Sequence, residues 1–223
     1  MSARYGDERI APSAQKRRTI MKPVSINVLR TVLGAMTMYA FAASAADLAE
    51  NCANCHGKDG ASTESSVPVI GGMSANYIGD ALKGYKDSSR YCPETTYKAG
   101  DKKGTKTTMC AVAKDLAPTD ISALATSFAG KKFVRPAQSP NAALVAKGKD
   151  VHDANCEKCH SEGGSVASDD AGILAGQWMP YLAQFFKEVQ SGQRQVPKKM
   201  KVKTDPLSSA DFDALVAYYG SFK

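Results

Sequence analysis

The sequence lacks an apolar run long enough to span a bilayer comfortably, and it lacks the alternation of apolar and polar residues that predicts β-strands. Its 223 residues are 43% hydrophobic and 23% charged, which is ordinary for a globular protein and too polar for a polytopic membrane protein. Histidine is scarce too, with three residues in the whole chain. These deficits argue against a multi-span membrane protein and a β-rich fold, and they predict an all-α protein.

The basic excess is concentrated near the N terminus. The chain carries 29 basic and 22 acidic residues, a net charge of +7, and residues 1–45 hold seven of the basic and two of the acidic ones. The remainder therefore carries a charge of only +2. A small net charge of this kind leaves no case for a nucleic-acid partner.

A removable export signal is predicted in the same basic segment. Lys16-Arg17-Arg18 precedes an apolar run from Thr31 to Ala43, and Ala43-Ser44-Ala45 supplies the small residues that a signal peptidase requires. We therefore expect residues 1–45 to be a signal peptide cleaved near Ala45/Ala46, with Met1 or Met21 as the start and a periplasmic mature protein. The alternative is an uncleaved anchor, although the run is short for a stable membrane span.

Four of the six cysteines form two copies of one motif, Cys52-Ala53-Asn54-Cys55-His56 and Cys156-Glu157-Lys158-Cys159-His160. The pattern Cys-x-x-Cys-His marks covalent attachment of c-type haem. Two thiols three residues apart share one face of a helical turn and can each form a thioether, while the following histidine reaches the iron. The motifs predict two covalent c-type haems, held by Cys52, Cys55, Cys156 and Cys159, with His56 and His160 as proximal iron ligands.

Two other uses of these cysteines fit less well. A zinc site would combine the two Cys-x-x-Cys pairs, but the pairs lie 104 positions apart and each is followed by a histidine. A thioredoxin-like redox pair requires a βαβ context that the surrounding sequence lacks.

The two motifs belong to an internal repeat. Gly72, Tyr77 and Ile78 correspond to Gly176, Tyr181 and Leu182 at the same offset of 104 residues. Farther along the offset is 91, and it pairs Met109, Leu116, Asp120, Ile121 and Leu124 with Met200, Leu207, Asp211, Phe212 and Leu215. The first half therefore contains 13 additional residues between Ile78 and Met109.

The repeat selects the second axial ligand of each iron. With three histidines in the chain, two of them proximal, both irons cannot have a pair of histidines. Met109 and Met200 correspond to each other in the repeat, whereas Met73 and Met179 do not and are expected to be packing residues. We predict Met109 and Met200 as axial ligands on loops. Histidine–methionine ligation fills both axial positions, which favours electron transfer over substrate binding at the iron.

Three further features carry predictions of their own. Cys92 and Cys110 are expected to form a disulfide in an exported chain, with redox control of Met109 or a reactive thiol as the alternative. His152 is expected on a helix surface, with displacement of Met200 as the alternative. The carbonyl of Pro68 is placed to accept the free N–H of His56, and a carbonyl is expected to do the same for His160.

The domain organisation follows from the repeat. The signal peptide (1–45) precedes a first cytochrome c domain (46–130), a linker rich in proline and basic residues (131–140) and a second cytochrome c domain (141–223), each wrapped around one haem. Helices are predicted at Asn141–Asn155, Tyr77–Lys86 and Tyr181–Gln190. Each half ends in an amphipathic helix, the first with Ile121, Leu124, Ala125 and Phe128 on one face and the second with Phe212, Leu215, Val216 and Tyr219.

The second half resembles a known family. The stretches His152–Gly164, Ile173–Leu182 and Lys198–Met200, above all Cys-Glu-Lys-Cys-His followed by Leu-Ala-Gly-Gln-Trp, resemble the dihaem cytochrome subunit of flavocytochrome c sulfide dehydrogenase. More distantly, the chain is similar to two-domain dihaem carriers of the cytochrome c-four type. The resemblance implies a partner subunit that contains FAD and oxidises sulfide, with electrons passing through the haems to a further cytochrome c. The segment Cys92–Cys110, with Lys98, Lys102, Lys103 and Lys106, departs from the family.

Two functions remain open on the sequence alone. The first is the electron-transfer subunit of a sulfide-oxidising flavocytochrome. In that case FAD belongs only to the partner, and this chain carries out no chemistry of its own. The alternative is a free-standing dihaem carrier that serves a terminal oxidase or reductase. The lysines around Met200 (Lys198, Lys199, Lys201 and Lys203) form either a docking patch for an acidic acceptor or a solvated surface.

Overall fold

The computed structural model describes residues 48–223, which lie within one compact unit. The predicted signal peptide, residues 1–45, lies outside the described residues. The helices are α1 (residues 48–56), α2 (Ala75–Lys86), α3 (Met109–Ala113), α4 (Pro118–Ala129), α5 (Ala142–Asn155), α6 (Ser161–Gly164), α7 (Met179–Gln190), α8 (Lys198–Thr204) and α9 (Ser209–Gly220). Two short strands, β1 (Thr95–Thr96) and β2 (Lys106–Thr107), pair antiparallel. The mostly helical fold confirms the predicted class.

The first domain forms its core where α2 packs against α4. All four residues predicted on the inner face of α4 are buried, and they meet Ile78 and Leu82 of α2. Pro118 begins α4, where its missing N–H costs no hydrogen bond. The Asp120 carboxylate accepts from the Ala117 N–H at 2.8 Å, which holds the start of the helix.

The second domain repeats this arrangement and adds a close helix crossing. Leu182 and Phe186 of α7 pack against Phe212 and Leu215 of α9, the repeat equivalents of the first core. The helices α5 and α9 make the most extensive contact among the described elements. At this crossing Gly148 faces the Ala214 backbone, and a Cβ at position 148 would overlap the Ala214 carbonyl. Glycine is therefore required by the closeness of the two helices.

Capping residues set the helix starts. Ser74 accepts from the Tyr77 N–H at 3.1 Å, so α2 begins two residues before the predicted Tyr77. Asn141 accepts from the Ala143 N–H at 3.1 Å, so it caps α5 from outside. Ser208 and Asp211 form a capping box at the start of α9, and Lys147 of α5 pairs with Asp211 at 2.9 Å. Together with the Ser208 hydroxyl, that lysine lowers the pKa of Asp211 to about 2.

The two domains touch through a buried glutamine. The Gln177 side chain accepts from the Val69 N–H and donates to the Val69 carbonyl, both at 2.9 Å. The indole N–H of Trp178 donates to the Ser62 carbonyl at 3.0 Å. Ile173 of the second domain is buried in the first core. The Gln-Trp pair of the second half is thus a domain contact.

The additional residues of the first half form a hairpin. The 104-residue offset extends to Arg90 and Arg194, whose N–H groups bond to the carbonyls of Gly84 and Glu188, also 104 positions apart. The extra residues therefore lie between Arg90 and Met109, where β1 and β2 pair. Sequence analysis predicted no strand, because segments of two residues are too short to show alternation.

No helix within the described range 48–223 is long and apolar enough to cross a membrane. Residues 131–140, the predicted linker, contain no helix. The exact domain boundaries stay a prediction.

Candidate haem sites

The first Cys-x-x-Cys-His motif lies on α1 and turns its histidine inward. His56 is 8% exposed, and its Nδ1 lies 2.9 Å from the Pro68 carbonyl, which confirms the predicted partner. Burial lowers the pKa of His56, while the Pro68 carbonyl acts in the opposite direction. A neutral ring with its Nδ1–H donated to a carbonyl keeps the Nε2 lone pair free for a metal.

The second motif holds its histidine less tightly. The Nδ1 of His160 is buried and makes no hydrogen bond with any other described residue. The Gly172 carbonyl, equivalent to Pro68 in the repeat, is still close enough to raise the pKa of His160 against the larger lowering effect of burial. The predicted carbonyl is therefore near His160, but His160 Nδ1 lacks a hydrogen bond like that of His56 to Pro68, and glycine does not fix the loop as proline does.

The environment of the thiols distinguishes attachment from redox chemistry. Burial raises the pKa of Cys52 to about 11 and also raises that of Cys156. A thioredoxin-like pair depends on a lowered thiol pKa. Cys52 and Cys156 therefore lack the lowered thiol pKa on which thiol–disulfide exchange depends.

The two methionines predicted as axial ligands lie on short helices instead of loops. Met109 begins α3 and packs, with Cys52, against the first core. Met200 is half-buried on α8, and Lys203 of that helix is close enough to Cys156 to lower its pKa. Met73 is 5% exposed within the first core, and Met179 packs against Gly220 of α9. Ligation by Met109 and Met200 stays a prediction, and the packing of the other two is compatible with it.

Cys92 and Cys110 are joined in a disulfide, with their Cα atoms 5.8 Å apart. The bond connects the start of the hairpin segment to α3, one residue from Met109. The hairpin is therefore anchored beside a predicted iron ligand.

The prediction of His152 on a helix surface is wrong, because the residue is fully buried. Its Nδ1 lies 2.9 Å from the Tyr219 hydroxyl and its Nε2 lies 2.6 Å from the Glu157 carboxylate. The Tyr219 hydroxyl in turn lies against the Cys156 thiol. Both ring nitrogens are thus occupied, which also argues against His152 as an iron ligand.

Sequence analysis missed two arginines at the domain contact, Arg90 and Arg194. Arg90 donates to the Tyr77 hydroxyl at 3.2 Å and stacks on Tyr85, while Arg194 pairs with the buried Glu188 at 2.7 Å. One N–H of each guanidinium, at Arg90 Nε and Arg194 Nη1, is buried and unpaired among the described residues. Arg90 and Arg194 correspond to each other in the repeat at the offset of 104, and this correspondence could have identified them from the sequence.

These residues fit a c-type haem at each site. Each domain offers two thiols on one turn of the chain, a histidine with a free Nε2 that is buried in the first domain and partly buried in the second, and an apolar core beside them. The two unpaired guanidinium N–H groups suit a group that bears carboxylates. A bound haem supplies a one-electron iron couple.

Fold and sites together define a c-type cytochrome with two cytochrome c domains in tandem. The Cytochrome c family matches residues 41–126, and the family described as cytochrome c oxidase, cbb3-type, subunit III matches residues 143–218. Taken with the fold, the two matches indicate two cytochrome c domains of the kind that binds c-type haem covalently, one in each half of the chain.

Several known proteins are similar to the chain. The thiosulfate dehydrogenase electron acceptor of Thiomonas intermedia is 26% identical over 162 residues, which is 68% of both chains. Cytochrome c-554(548) of Halomonas halodenitrificans is 29% identical over 91 residues, 41% of this chain and 96% of the relative.

Solved structures agree on the fold. The Acidithiobacillus ferrooxidans cytochrome c4 has a TM-score of 0.60 and 26% identity, covering 78% of this chain and 99% of its own. Pseudomonas stutzeri cytochrome c4 has a TM-score of 0.63 and 24% identity, covering 81% of this chain and 97% of its own. Thiosulfate dehydrogenase TsdBA of Marichromatium purpuratum reaches 0.61 with 22% identity over 76% of this chain and 36% of its own.

Proposed function

We propose that the protein accepts electrons from a dehydrogenase that oxidises a reduced inorganic sulfur compound and passes them to a further cytochrome c. The observation that carries this proposal is the pair of matching sites. Each has an inward-facing histidine, and each has an equivalent methionine predicted as the opposite ligand. A histidine and a methionine would together hold each haem iron, and this ligand pair would supply electron transfer and leave no position for a substrate.

The donor is the finer part of the proposal. The resemblance of the second half favours a flavoprotein subunit that contains FAD and oxidises sulfide. The similarity to the Thiomonas thiosulfate dehydrogenase electron acceptor favours thiosulfate as a second candidate. The fold shared with the cytochrome c4 structures keeps a free-standing carrier as a third arrangement, in which the donor binds only transiently.

The test is purification of the native protein without dissociating its partners, followed by absorption spectroscopy and substrate-dependent reduction. A flavin spectrum together with haem reduction by sulfide supports the sulfide-oxidising complex. Reduction by thiosulfate in a complex without flavin supports the second candidate. A protein that is reduced by neither compound in a clarified extract of its own cells contradicts a sulfur-compound donor.

Periplasmic location and removal of residues 1–45 belong to the same proposal. The expected mature N terminus is Ala46, close to the start of α1. N-terminal sequencing of the purified holoprotein checks it, and a mature protein that retains the apolar run 31–43 contradicts cleavage.

A further inference from the structure

The hairpin lies directly on the first haem-attachment motif. The Asn54 carbonyl, between the two motif cysteines, accepts from the N–H groups of Lys98 and Ala99, both at 2.9 Å. The Thr96 carbonyl lies 4.0 Å from the Cys55 sulfur. The hairpin therefore covers the outer surface of this motif.

The hairpin is held at both ends. Its base is tied to α3 by the Cys92–Cys110 disulfide, and its far end contacts Asn54 of α1. Gly100, with a φ of +70°, packs so closely on Asn54 that a Cβ there would lie 2.5 Å from the side-chain oxygen. The hairpin thus extends from α3, which carries the predicted ligand Met109, to the attachment helix α1.

The second domain has no counterpart to this cover. Lys158 and Cys159, the equivalents of Asn54 and Cys55, are both exposed. A thioether joins the cysteine sulfur to the edge of the haem, so whatever covers the sulfur covers that edge. Because the Cys159 sulfur is exposed, the haem edge that it would hold is uncovered too.

The segments of the second domain that carry Cys159 and Met200 also carry exposed lysines and one exposed apolar residue. Lys199 and Lys203 are four residues apart on α8 and share one face, and Lys203 acts electrostatically on Cys156. Val202, two residues from Met200, is 64% exposed. We call Lys158, Cys159, Lys199, Val202 and Lys203 the exchange face. An apolar centre with a charged rim is the composition of a transient redox interface.

We propose that the hairpin shields the first haem site, so that electrons leave through the exchange face on the second domain to a small acidic redox protein. This inference rests on the proposed electron-transfer function and adds which domain meets the acceptor. The acidic partner follows from charge complementarity, since the face contains three lysines and the neighbouring carboxylate, Glu157, is hydrogen-bonded to His152. Lys201 of α8 is left out of the exchange face because it is paired with Asp205 at 2.7 Å.

The first test uses hexacyanoferrate(III) as a small anionic acceptor for the reduced holoprotein. One electron leaves the protein and reduces one hexacyanoferrate(III) to hexacyanoferrate(II), with no proton transferred. The variant Lys158→Gln/Lys199→Gln/Lys203→Gln should lower the second-order rate constant at low ionic strength by about 3-fold or more and flatten its salt dependence. The matched control is Lys98→Gln/Lys102→Gln/Lys103→Gln, which removes equal charge from the hairpin and should change the rate less than 2-fold. An equal or larger loss in the hairpin variant overturns the proposal.

The second test opens the cover on the exchange-face triple variant. Gly100→Val should displace the hairpin from Asn54 and raise the hexacyanoferrate rate about 3-fold. Gly104→Val is the control, because Gly104 has a similar φ of +81° but nothing within 4 Å of a Cβ. Cys92→Ser/Cys110→Ser, which frees the base of the hairpin, should act like Gly100→Val. If both opening variants react at the rate of the Gly104 control while their spectra stay native, the hairpin is no shield.

The inorganic acceptor separates this inference from the proposed function. The rates do not depend on which dehydrogenase supplies the electrons, so a failed search for a sulfur-compound donor leaves them interpretable. Conversely, an overturned shield leaves the donor assignment intact.

Discussion

Single residues distinguish the two halves of the repeat around His152. In the second domain the buried His152 and Tyr219 are hydrogen-bonded in a chain with the partly exposed Glu157, whereas the equivalent first-domain residues are Leu48, Ala53 and Phe128. All three positions change together, from an apolar set to a polar one. A polar group with every partner present is tolerated in a core, but a partial set is costly.

That co-replacement predicts a non-additive stability series. His152→Leu alone should destabilise the second domain by about 1–3 kcal/mol, because the buried Tyr219 hydroxyl loses its histidine partner and keeps only the Cys156 sulfur. The triple variant His152→Leu/Glu157→Ala/Tyr219→Phe, which installs the first-domain set, should recover at least about half of that loss. Urea unfolding of the holoprotein measures both. Asp153→Asn, at an exposed neighbour, is the control and should change stability by less than about 0.5 kcal/mol. A triple variant less stable than the single one would show that the chain is not a closed unit.

The same chain has a pH signature. The hydrogen bond from His152, followed by the N–H groups of Glu162 and Gly163, lowers the pKa of Glu157 below its ordinary 4.5. A lowered carboxyl pKa stabilises the fold above pH 4.5, and this stability is lost as the pH falls through the folded pKa. Acid titration followed by far-UV circular dichroism should therefore show His152→Leu unfolding at a higher pH than the parent. Coincident acid midpoints would contradict the coupling.

The predicted Met200 ligand gives a spectroscopic test. Met200→Ala should remove the sulfur-to-iron charge-transfer band of the second haem from the ferric spectrum and lower its reduction potential, because methionine ligation raises the potential. Met179→Ala serves as the control, since Met179 packs on Gly220 at the far end of α9. Retention of the full band in Met200→Ala, with loss in the control, would reverse the assignment.

At the scale of elements, the crossing of α5 and α9 determines whether the second domain forms. Gly148→Val should destabilise this domain by more than about 3 kcal/mol, because its side chain would overlap the Ala214 carbonyl and the Tyr218 side chain. Ala146→Val, exposed on the same helix, introduces the same β-branched residue and should cost less than about 1 kcal/mol. Thermal unfolding monitored in the haem absorption band provides the measurement. Equal losses in the two variants would show that helix propensity, not the crossing, limits stability.

The elements also show what the sequence can predict and what it cannot. Apolar periodicity predicted both terminal helices and the buried face of α4, because burial of one face repeats every three to four residues. The Pro68 carbonyl was predictable since proline fixes its loop. His152 was misjudged because its partners Glu157 and Tyr219 come from other segments, one of them 67 positions away. The hairpin and the short helices carrying the two methionines are too short for a periodic signal.

At the scale of the whole molecule, Gln177 makes the two domains depend on each other. Val69 is fully buried, and its N–H and carbonyl have the Gln177 side chain as their partner from the other domain. Gln177→Leu leaves both backbone groups buried without that partner, at a cost of about 2–4 kcal/mol. This loss falls on the contact between the domains, so calorimetry should resolve two transitions in the variant and a single one in the parent. The single tryptophan, Trp178, bonds to Ser62 across the same contact, and its fluorescence should rise with the first transition as the domains separate.

Gln184→Leu, at an exposed glutamine of the same domain that bonds to Glu188, is the control and should keep one transition. If Gln177→Leu unfolds in one step with an unchanged midpoint, the coupling between the domains does not depend on Gln177.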